Sequence, residues 1–396
     1  MRNSNKFGRA AVSGAMMLGL TLVAMHPALA QTYMVIYTFT GGADGGTPFA
    51  TPILYNGNLW GTTNAGGANG AGTIYTVNFA SRKETVLHSF AGGPTDGAGP
   101  IAGLVQNAAG NFYGASYKGG ALNFGTVFEL TLKGQYSIVH SFAGPPTEGL
   151  GPAGTPVFDP GGDLYGTTYQ GGNTKGYGTT YEITGAGVYK TGQNFPADGG
   201  LPRAGLTLIN DQLWGTSSGG TTRSYGGAVY QAGVGSTPLY IFSGGADGSQ
   251  PMGPVIGDTL GNLYGTTSGG GNGSFGNGCG VIFKVNIATG QETVLHTFTG
   301  PDGAVPMSGL AWDTEGNLYG TTLLGGAYGY GTVFKLDTLG NLTTVYSFTG
   351  GADGASPNAG VLVDNVGNIW GATSAGGSAT GSSGFGTLFI ITPAAS

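Results

Sequence analysis

Seven acidic residues recur along the sequence, each followed by a glycine and, four residues after the acid, by a proline. They are Asp44, Asp96, Glu148, Asp198, Asp247, Asp302 and Asp353. Carboxylates gathered on one surface could bind a cation such as Ca²⁺ or the hydroxyls of a ligand. An acid followed by glycine is also typical of a turn whose carboxylate accepts backbone N–H groups. Because all seven repeats share the acid, we favour the turn and expect no cofactor, with Ca²⁺ as the weaker alternative.

A second set of candidate residues is aromatic and lies near the Gly-Gly pairs of the sequence. It comprises Phe124, Tyr177, Tyr225, Phe275, Tyr328, Tyr330 and Phe385. Exposed aromatic faces could stack on sugar rings. Buried ones would instead fill gaps between structural units, where each contributes about 1.5–3 kcal/mol. Both interpretations stay open, and together with the seven acids these aromatics are the candidate ligand-binding residues.

The histidines show no catalytic pattern. His88, His140 and His296 each stand two residues before a phenylalanine, so we interpret them as structural positions of a repeat. The sequence contains no G-x-S-x-G, H-E-x-x-H or P-loop motif. We therefore assign no catalytic residue and no metal ligand. Arg203 and Arg223 each occur in a single repeat, which makes them positions where an asymmetric function could lie.

The elements that must position these residues follow from a repeat of about 52 residues, a period typical of repeat architectures. The motif G-N-L-Y-G-T-T at 316–322, followed by Gly-Gly and then G-T-V-F at 331–334, recurs in seven related forms. Its central glycines are Gly61, Gly114, Gly166, Gly215, Gly265, Gly320 and Gly371. Each repeat except the last holds four short runs with strand character, separated by turn residues.

Four antiparallel strands per repeat predict an all-β chain, a seven-bladed β-propeller formed by residues 31–396 as a single domain. The last repeat supplies only three runs, and the missing fourth type stands at the other end of the chain, at Tyr33–Phe39. We expect this N-terminal strand to complete the last blade and close the propeller. A β-helix or other solenoid is the alternative.

The motif resembles the GloVer tandem repeat of bacterial exported proteins, and the resemblance covers essentially all of residues 31–396. Its period and Gly-Gly pair are also similar to those of kelch propellers at the level of architecture. The resemblance implies a location outside the cytoplasm but no particular activity.

Residues 1–30 are predicted to be a secretory signal peptide, with basic residues followed by an apolar run and Ala28-Leu29-Ala30. Removing its three basic residues from the 13 of the chain leaves ten against 19 acidic ones, a net charge of −9. Such an acidic chain is a poor binder of nucleic acids. We expect a secreted or periplasmic monomer without a membrane span in its mature part.

These observations favour an exported, non-enzymatic module that binds a carbohydrate or a surface protein. The motivation is a regular set of aromatic and acidic loops without a convergent catalytic set. The first alternative is a polysaccharide hydrolase or lyase on the same scaffold. The second alternative is a structural component of the cell envelope.

Overall fold

The computed structural model describes residues 31–173, 176–196, 200–219, 226–233, 238–271, 273, 276–378 and 383–393. Seven antiparallel sheets of four principal strands stand in a circle, which confirms the predicted seven-bladed propeller. We number the blades 1 to 7 and letter their strands A to D from the axis outward. No described residue belongs to an α-helix. The predicted signal peptide lies outside the described residues.

The strands of equivalent type have similar bounds in all blades. The A strands are Ile53–Tyr55, Val105–Gln106, Val157–Phe158, Thr207–Ile209, Ile256–Gly257, Ala311–Trp312 and Val361–Val363. The B strands are Asn58–Thr63, Phe112–Ser116, Leu164–Gly171, Gln212–Ser217, Asn262–Thr267, Leu318–Thr322 and Ile369–Thr373. The C strands are Thr73–Asn78, Thr126–Leu130, Thr179–Ile183, Ala228–Gln231, Val281–Asn286, Thr332–Leu336 and Thr387–Thr392. The D strands are Glu84–Ser89, Tyr136–Ser141, Tyr189–Asn194, Tyr240–Ile241, Glu292–Thr297, Leu342–Ser347 and Thr32–Thr38.

The D strand of blade 7 comes from the N-terminus, as the sequence predicts. Thr32–Thr38 pairs antiparallel with Thr387–Thr392, and Thr32 lies opposite Thr392. Both edges that a linear chain would leave open are therefore hydrogen-bonded, and no outer gap remains between the first and last repeats.

The interfaces between blades have one repeated core. The phenylalanine that follows strand D packs edge-on against the central aromatic residue of strand C in the next blade, with ring centroids 4.7–5.4 Å apart. Phe298 on Phe334 is an example, at 5.2 Å. The central glycine of strand B lies beneath this C-strand ring. In blade 6, a Cβ on Gly320 would stand 2.5 Å from the Cζ of Phe334, so the packing admits no side chain there.

The first threonine of the G-T-T motif joins neighbouring blades. Its hydroxyl donates to a backbone carbonyl just before strand A of the next blade, as Thr321 does to Ala359 at 2.8 Å. The same bond recurs in blades 1, 3, 4 and 5, at 2.7–2.8 Å. Each hydroxyl is buried, so the bond satisfies a polar group that water cannot reach. The motif thus encodes contact between blades.

Two faces of the propeller differ in their connections. The A–B and C–D hairpins lie on one face, which we call the hairpin face. The B–C loops and the D–A connections between blades lie on the other, which we call the loop face. Gly97–Ala98 and Lys118–Gly119 form a short ladder there, and Gly149–Pro152 extends the sheet of blade 3 through strand B. Among the described residues, no helix is long and apolar enough to cross a membrane.

Candidate functional site

The acids of the seven Asp-Gly or Glu-Gly pairs lie in the D–A connections of the loop face, except Asp198, which lies outside the described residues. Each of the six described carboxylates accepts a backbone N–H from its own connection. Asp302 accepts from the amide nitrogen of Thr299 at 2.8 Å, and Asp353 accepts from that of Thr349 at 2.8 Å. These bonds stabilise the turns, which is the role that we favour for the acids because every repeat contains one.

Each of these carboxylates also holds a side chain of the preceding D strand. In blades 1, 2 and 5 the partner is histidine: His88 with Asp96, His140 with Glu148 and His296 with Asp302, at 3.1, 3.0 and 2.8 Å. In blades 4, 6 and 7 a tyrosine hydroxyl donates instead, at 3.0 Å in each case. The histidines therefore sit in separate blades, each with its own carboxylate.

Burial alone would raise the pKa of Asp302, but hydrogen bonds from Thr299 and His296 outweigh it and hold the pKa below its usual value. Asp96 and Asp247 are shifted in the same direction by equivalent bonds. These carboxylates are therefore ionised at neutral pH, and they accept hydrogen bonds from their own D–A connections. Among the described residues, no group of three or more His, Cys, Asp or Glu side chains could hold a metal ion.

In blades 2 and 3 the first residue of strand D is a tyrosine that covers the histidine of the preceding blade. Tyr136 stacks on His88 with centroids 3.7 Å apart, and Tyr189 stacks on His140 at 3.9 Å. Two blades place glutamate there. Burial, followed by the Asp44 carboxylate, raises the pKa of Glu84 to about 7. Burial and Asp247 do the same to Glu292.

The described aromatics of the Gly-Gly loops also lie on the loop face. Phe124, Tyr330 and Phe385 each cover a glycine of the following D–A connection, namely Gly144, Gly350 and Gly41, where a Cβ would stand 2.5–2.6 Å from the ring. Tyr177 lies against Gly200 through its Cβ and backbone oxygen rather than through its ring. Tyr330 is 38% and Phe385 44% exposed. One face of each ring thus packs on backbone, and part of the ring stays open to solvent.

Backbone hydrogen bonds define which residues are equivalent to these aromatics. The carbonyls of Phe124, Tyr330 and Phe385 accept from the residue before the connection's proline. In blades 4 and 5 the equivalent carbonyls belong to Gly226 and the buried Cys279. Tyr225 and Phe275, which the sequence pattern suggests, lie outside the described residues, as does Arg223. Tyr328 is 61% exposed and lies two residues before the position that Tyr330 occupies. No observation assigns a ligand to these rings, so their binding role stays a prediction.

A cavity of about 540 Å³ lies on the propeller axis and opens at the loop face. All seven blades line it, each through the residue that follows the proline of its D–A connection. These residues are Phe49, Ile101, Ala153, Arg203, Met252, Met307 and Asn358. The volume is in the range of small-molecule sites. Arg203 is the one charged side chain among the described residues that line this cavity.

Two tyrosines accompany Arg203 at one side of the opening. The guanidinium carbon lies 4.5 Å from the centroid of the Tyr169 ring, and Arg203 Nη2 donates to the Tyr169 hydroxyl at 3.0 Å. Burial and the neighbouring Tyr169 raise the pKa of Tyr117, while Arg203 acts against this increase. Tyr117, Tyr169 and Arg203 therefore form one group across blades 2 to 4, which we call the tyrosine–arginine cluster. Arg203 is exposed, and both rings are partly buried.

The cluster departs from the repeat. The residue after the G-T-T motif is tyrosine only at Tyr117 and Tyr169; the equivalents in the other blades are Asn64, Ser218, Ser268, Leu323 and Ser374. All three serines donate to the carbonyl of the residue before the proline, at 2.8–2.9 Å. A tyrosine hydroxyl lies too far from its own backbone to make this bond, so the tyrosine ring extends over the cavity rim instead.

Gly151 makes room for one of these rings. It has a φ of +64°, and a Cβ there would stand 2.8 Å from the Tyr117 ring. The equivalent residues Leu201, Gln250 and Val305 adopt similar φ values of 56–60° with a side chain present. The backbone at this position therefore tolerates a side chain, and glycine is required at 151 because Tyr117 occupies the space.

The repeat pattern of the sequence indicates that Arg203 is specific to one repeat, but it does not point to Tyr117, Tyr169 or the apolar lining. The sequence signal that could have identified the two tyrosines is the residue after the G-T-T motif, which is tyrosine in only two of the seven repeats. Trp312 of strand A in blade 6 packs against the ring of Tyr264, with centroids 5.0 Å apart.

A second cavity of about 540 Å³ lies between blades 2 and 3 on the hairpin face. Glu129 and Asp159 both line it. Glu129 accepts from Asn111 Nδ2 at 2.7 Å, and Asp159 accepts from the backbone N–H of Asp163 at 2.9 Å. Asp258, Asp313 and Asp364 make the same hairpin bond as Asp159.

Solved structures similar to this chain share its fold at low sequence identity. The extracellular domain of a putative hybrid two-component system from B. thetaiotaomicron matches with a TM-score of 0.56 and 11% identity, over 92% of this chain and 41% of that one. This chain thus spans less than half of that domain. An oligogalacturonate lyase from Vibrio parahaemolyticus matches with a TM-score of 0.51 and 10% identity, over 92% and 97% of the two chains. A putative 6-phosphogluconolactonase from Bacteroides fragilis matches with a TM-score of 0.51 and 15% identity, over 81% and 89%.

These identities, all at or below 15%, support the propeller fold alone. No curated protein matches the sequence significantly. The repeat itself is recognised directly: residues 2–230 and 227–396 match the Gloeobacter/Verrucomicrobia repeat. This match spans all seven blades and agrees with the predicted GloVer resemblance. The chain belongs to the Gloeobacter/Verrucomicrobia repeat family.

Proposed function

We propose that this protein is an exported, non-enzymatic binding module for a carbohydrate, which it holds at the mouth of the axial cavity. The observation that carries the proposal is the tyrosine–arginine cluster, which breaks the sevenfold repeat at the cavity rim. Tyr117 and Tyr169 offer two aromatic side chains beside an apolar lining. A sugar presents an apolar face of C–H groups and a rim of hydroxyls, which suits such a surface with a few polar groups.

Export is part of the proposal and rests on the predicted signal peptide. The resemblance to exported repeat proteins supports it, as does the extracellular domain among the similar folds. A protein ligand could also bind at the loop face, but the cavity is concave and of small-molecule size, which favours a saccharide.

The test is isothermal titration of residues 31–396 with a panel of soluble oligosaccharides. Replacing Tyr117 or Tyr169 by alanine should weaken binding about threefold to tenfold, the usual contribution of one aromatic contact. Gly151→Ala should weaken binding too, because the new Cβ displaces the Tyr117 ring at a position whose backbone tolerates side chains. Tyr330→Ala, on the same face but away from the axis, is the matched control.

Two results would contradict the proposed site. Equal losses in the Tyr330→Ala and Tyr169→Ala variants would move binding to the Gly-Gly loops predicted from the sequence. A panel in which no saccharide binds the parent protein would remove carbohydrate as the ligand.

The second candidate function is cleavage of a polysaccharide, and one observation favours it. Glu129 and Asp159 line the second cavity together, and glycoside hydrolysis uses a pair of carboxylic acids. This alternative predicts that new reducing ends or unsaturated sugars appear on incubation with a polysaccharide. Glu129→Gln should then abolish product formation, whereas Glu182→Gln, at the equivalent C-strand position of blade 3, should not.

A further inference from the structure

The tyrosine–arginine cluster contains a charge that a neutral sugar would leave unused. Among the described residues that line the axial cavity, Arg203 is the only charged one, and the other six residues at its repeat position are uncharged. A guanidinium is weakly hydrated and presents its N–H donors in a plane, which suits recognition of a planar anion at the edge of an apolar cavity. The position of Arg203 is therefore suited to an anionic partner.

No carboxylate of the described residues forms an ion pair with Arg203; the ion pairs found are those of His88, His140, Lys190 and His296. Arg203 directs one N–H to the Tyr169 hydroxyl at 3.0 Å. A guanidinium has five N–H donors, so most of its hydrogen-bonding capacity is not used by that contact. The Tyr169 contact orients the guanidinium at the rim while leaving donors for a ligand.

We infer that the axial cavity binds a sugar acid, whose carboxylate is held by Arg203 while its ring lies against Tyr169 and Tyr117. This inference rests on the proposed carbohydrate-binding function and specifies its ligand class. The planar fork of an arginine matches a carboxylate through two parallel N–H···O bonds. A single cation balances the single charge of a uronate. The dianion of a phosphate ester would leave a charge uncompensated in an apolar cavity.

The test compares a soluble uronic acid oligosaccharide with the same oligosaccharide after chemical reduction of its carboxyl groups. The two ligands differ in the acid alone, so their affinities separate the contribution of Arg203 from that of the aromatic rings. Isothermal titration should show that the parent protein binds the acidic form about tenfold more tightly. In Arg203→Gln that preference should fall to nearly one.

Arg82→Gln is the matched control, because it removes an equal charge from the C–D turn of blade 1 on the hairpin face. It should leave the preference for the acidic form intact. The preference should also persist from pH 8 to pH 5 and decline below about pH 4, where a sugar carboxylate becomes protonated.

Equal binding of the acidic and reduced forms by the parent protein would overturn the inference while leaving the carbohydrate proposal standing. A preference that survives in Arg203→Gln would overturn it as well. Tighter binding of a sulfated oligosaccharide than of the uronate would also overturn the assignment of a carboxylate. Absence of binding to both uronate forms, with binding to other sugars of the panel, would contradict the inference alone.

Discussion

Two regions of the loop face differ in how closely they follow the repeat. The D–A connections repeat a carboxylate that caps its own loop and binds the His or Tyr of the preceding D strand. The rim of the axial cavity carries Tyr117, Tyr169 and Arg203 in three neighbouring blades and different residues in the others. Features shared by the blades therefore serve blade assembly, whereas the proposed function assigns recognition to the departures from the repeat.

The largest effect is expected where the repeat closes on itself. Deleting residues 31–39 removes the D strand of blade 7 together with the buried Ile36 and Phe39. The melting temperature should fall by about 10 °C or more, because several apolar side chains lose their partners and an edge opens. Calorimetry of the deleted and parent chains measures the difference.

A circular rearrangement provides the control for that deletion. Thr32 lies opposite Thr392, so residues 31–39 can be joined after Ser396 through a short linker. This variant should recover most of the lost melting temperature. An unchanged melting temperature in the deletion variant itself would contradict closure by this strand.

Gly320→Ala tests a position shared by all blades. The Cβ would stand 2.5 Å from the Phe334 ring, which already packs against Phe298. Overpacking of this kind should lower the free energy of unfolding by about 1–3 kcal/mol, measured by urea denaturation. Gly185→Ala is the control, since its Cβ would meet nothing closer than 3.6 Å. Equal stability of the two variants would show that the central glycine has no packing role.

The glutamates between blades should make stability depend on pH. The folded pKa of Glu84 and of Glu292 is about 7, against 4.5 in an unperturbed side chain. Folding therefore favours the protonated acids. Their contribution is fully present below pH 4.5 and is lost as the pH rises through 7. Because both side chains are partly exposed, we expect about 1 kcal/mol or less for each.

Thermal unfolding of Glu84→Gln/Glu292→Gln between pH 5 and pH 8 measures this contribution. The double variant should gain stability over the parent at pH 8 and lose that advantage at pH 5. Glu315→Gln, at an exposed hairpin position, serves as the control. A parent and double variant with parallel pH profiles would contradict the assignment.

The smallest effect on stability is expected at the cavity rim. Arg203 is exposed and contacts Tyr169 alone among the polar groups described, so Arg203→Gln should change the free energy of unfolding by less than about 0.5 kcal/mol. Chemical denaturation checks this value. A loss comparable to that of Gly320→Ala would mean that Arg203 belongs to the shared framework of the propeller.

Much of the fold could be predicted from the sequence because the same pattern of residue types recurs seven times. The four runs per repeat, the closing strand Tyr33–Phe39 and the acids of the D–A turns all follow from residue types at fixed spacing. The packing role of Gly320 could not be predicted, because the Phe334 ring that covers it belongs to a neighbouring strand.

The cavity rim was harder to predict for a related reason. Tyr117, Tyr169 and Arg203 are 34 to 86 residues apart in sequence, and only the curvature of the circle brings them together. A search for shared features also passes over residues that occur in one or two copies. The Gly-Gly-loop aromatics, being periodic, were easier to find, although no contact with a ligand distinguishes them.

Hydrogen–deuterium exchange with a bound saccharide tests the central claim most directly, because it reports every blade at once. Recognition at the departures from the repeat predicts protection confined to residues 99–117, 149–169 and 200–207, with the D–A connections at 41–46 and 350–356 unchanged. Protection spread evenly over all seven D–A connections, or confined to the hairpin face, would contradict it.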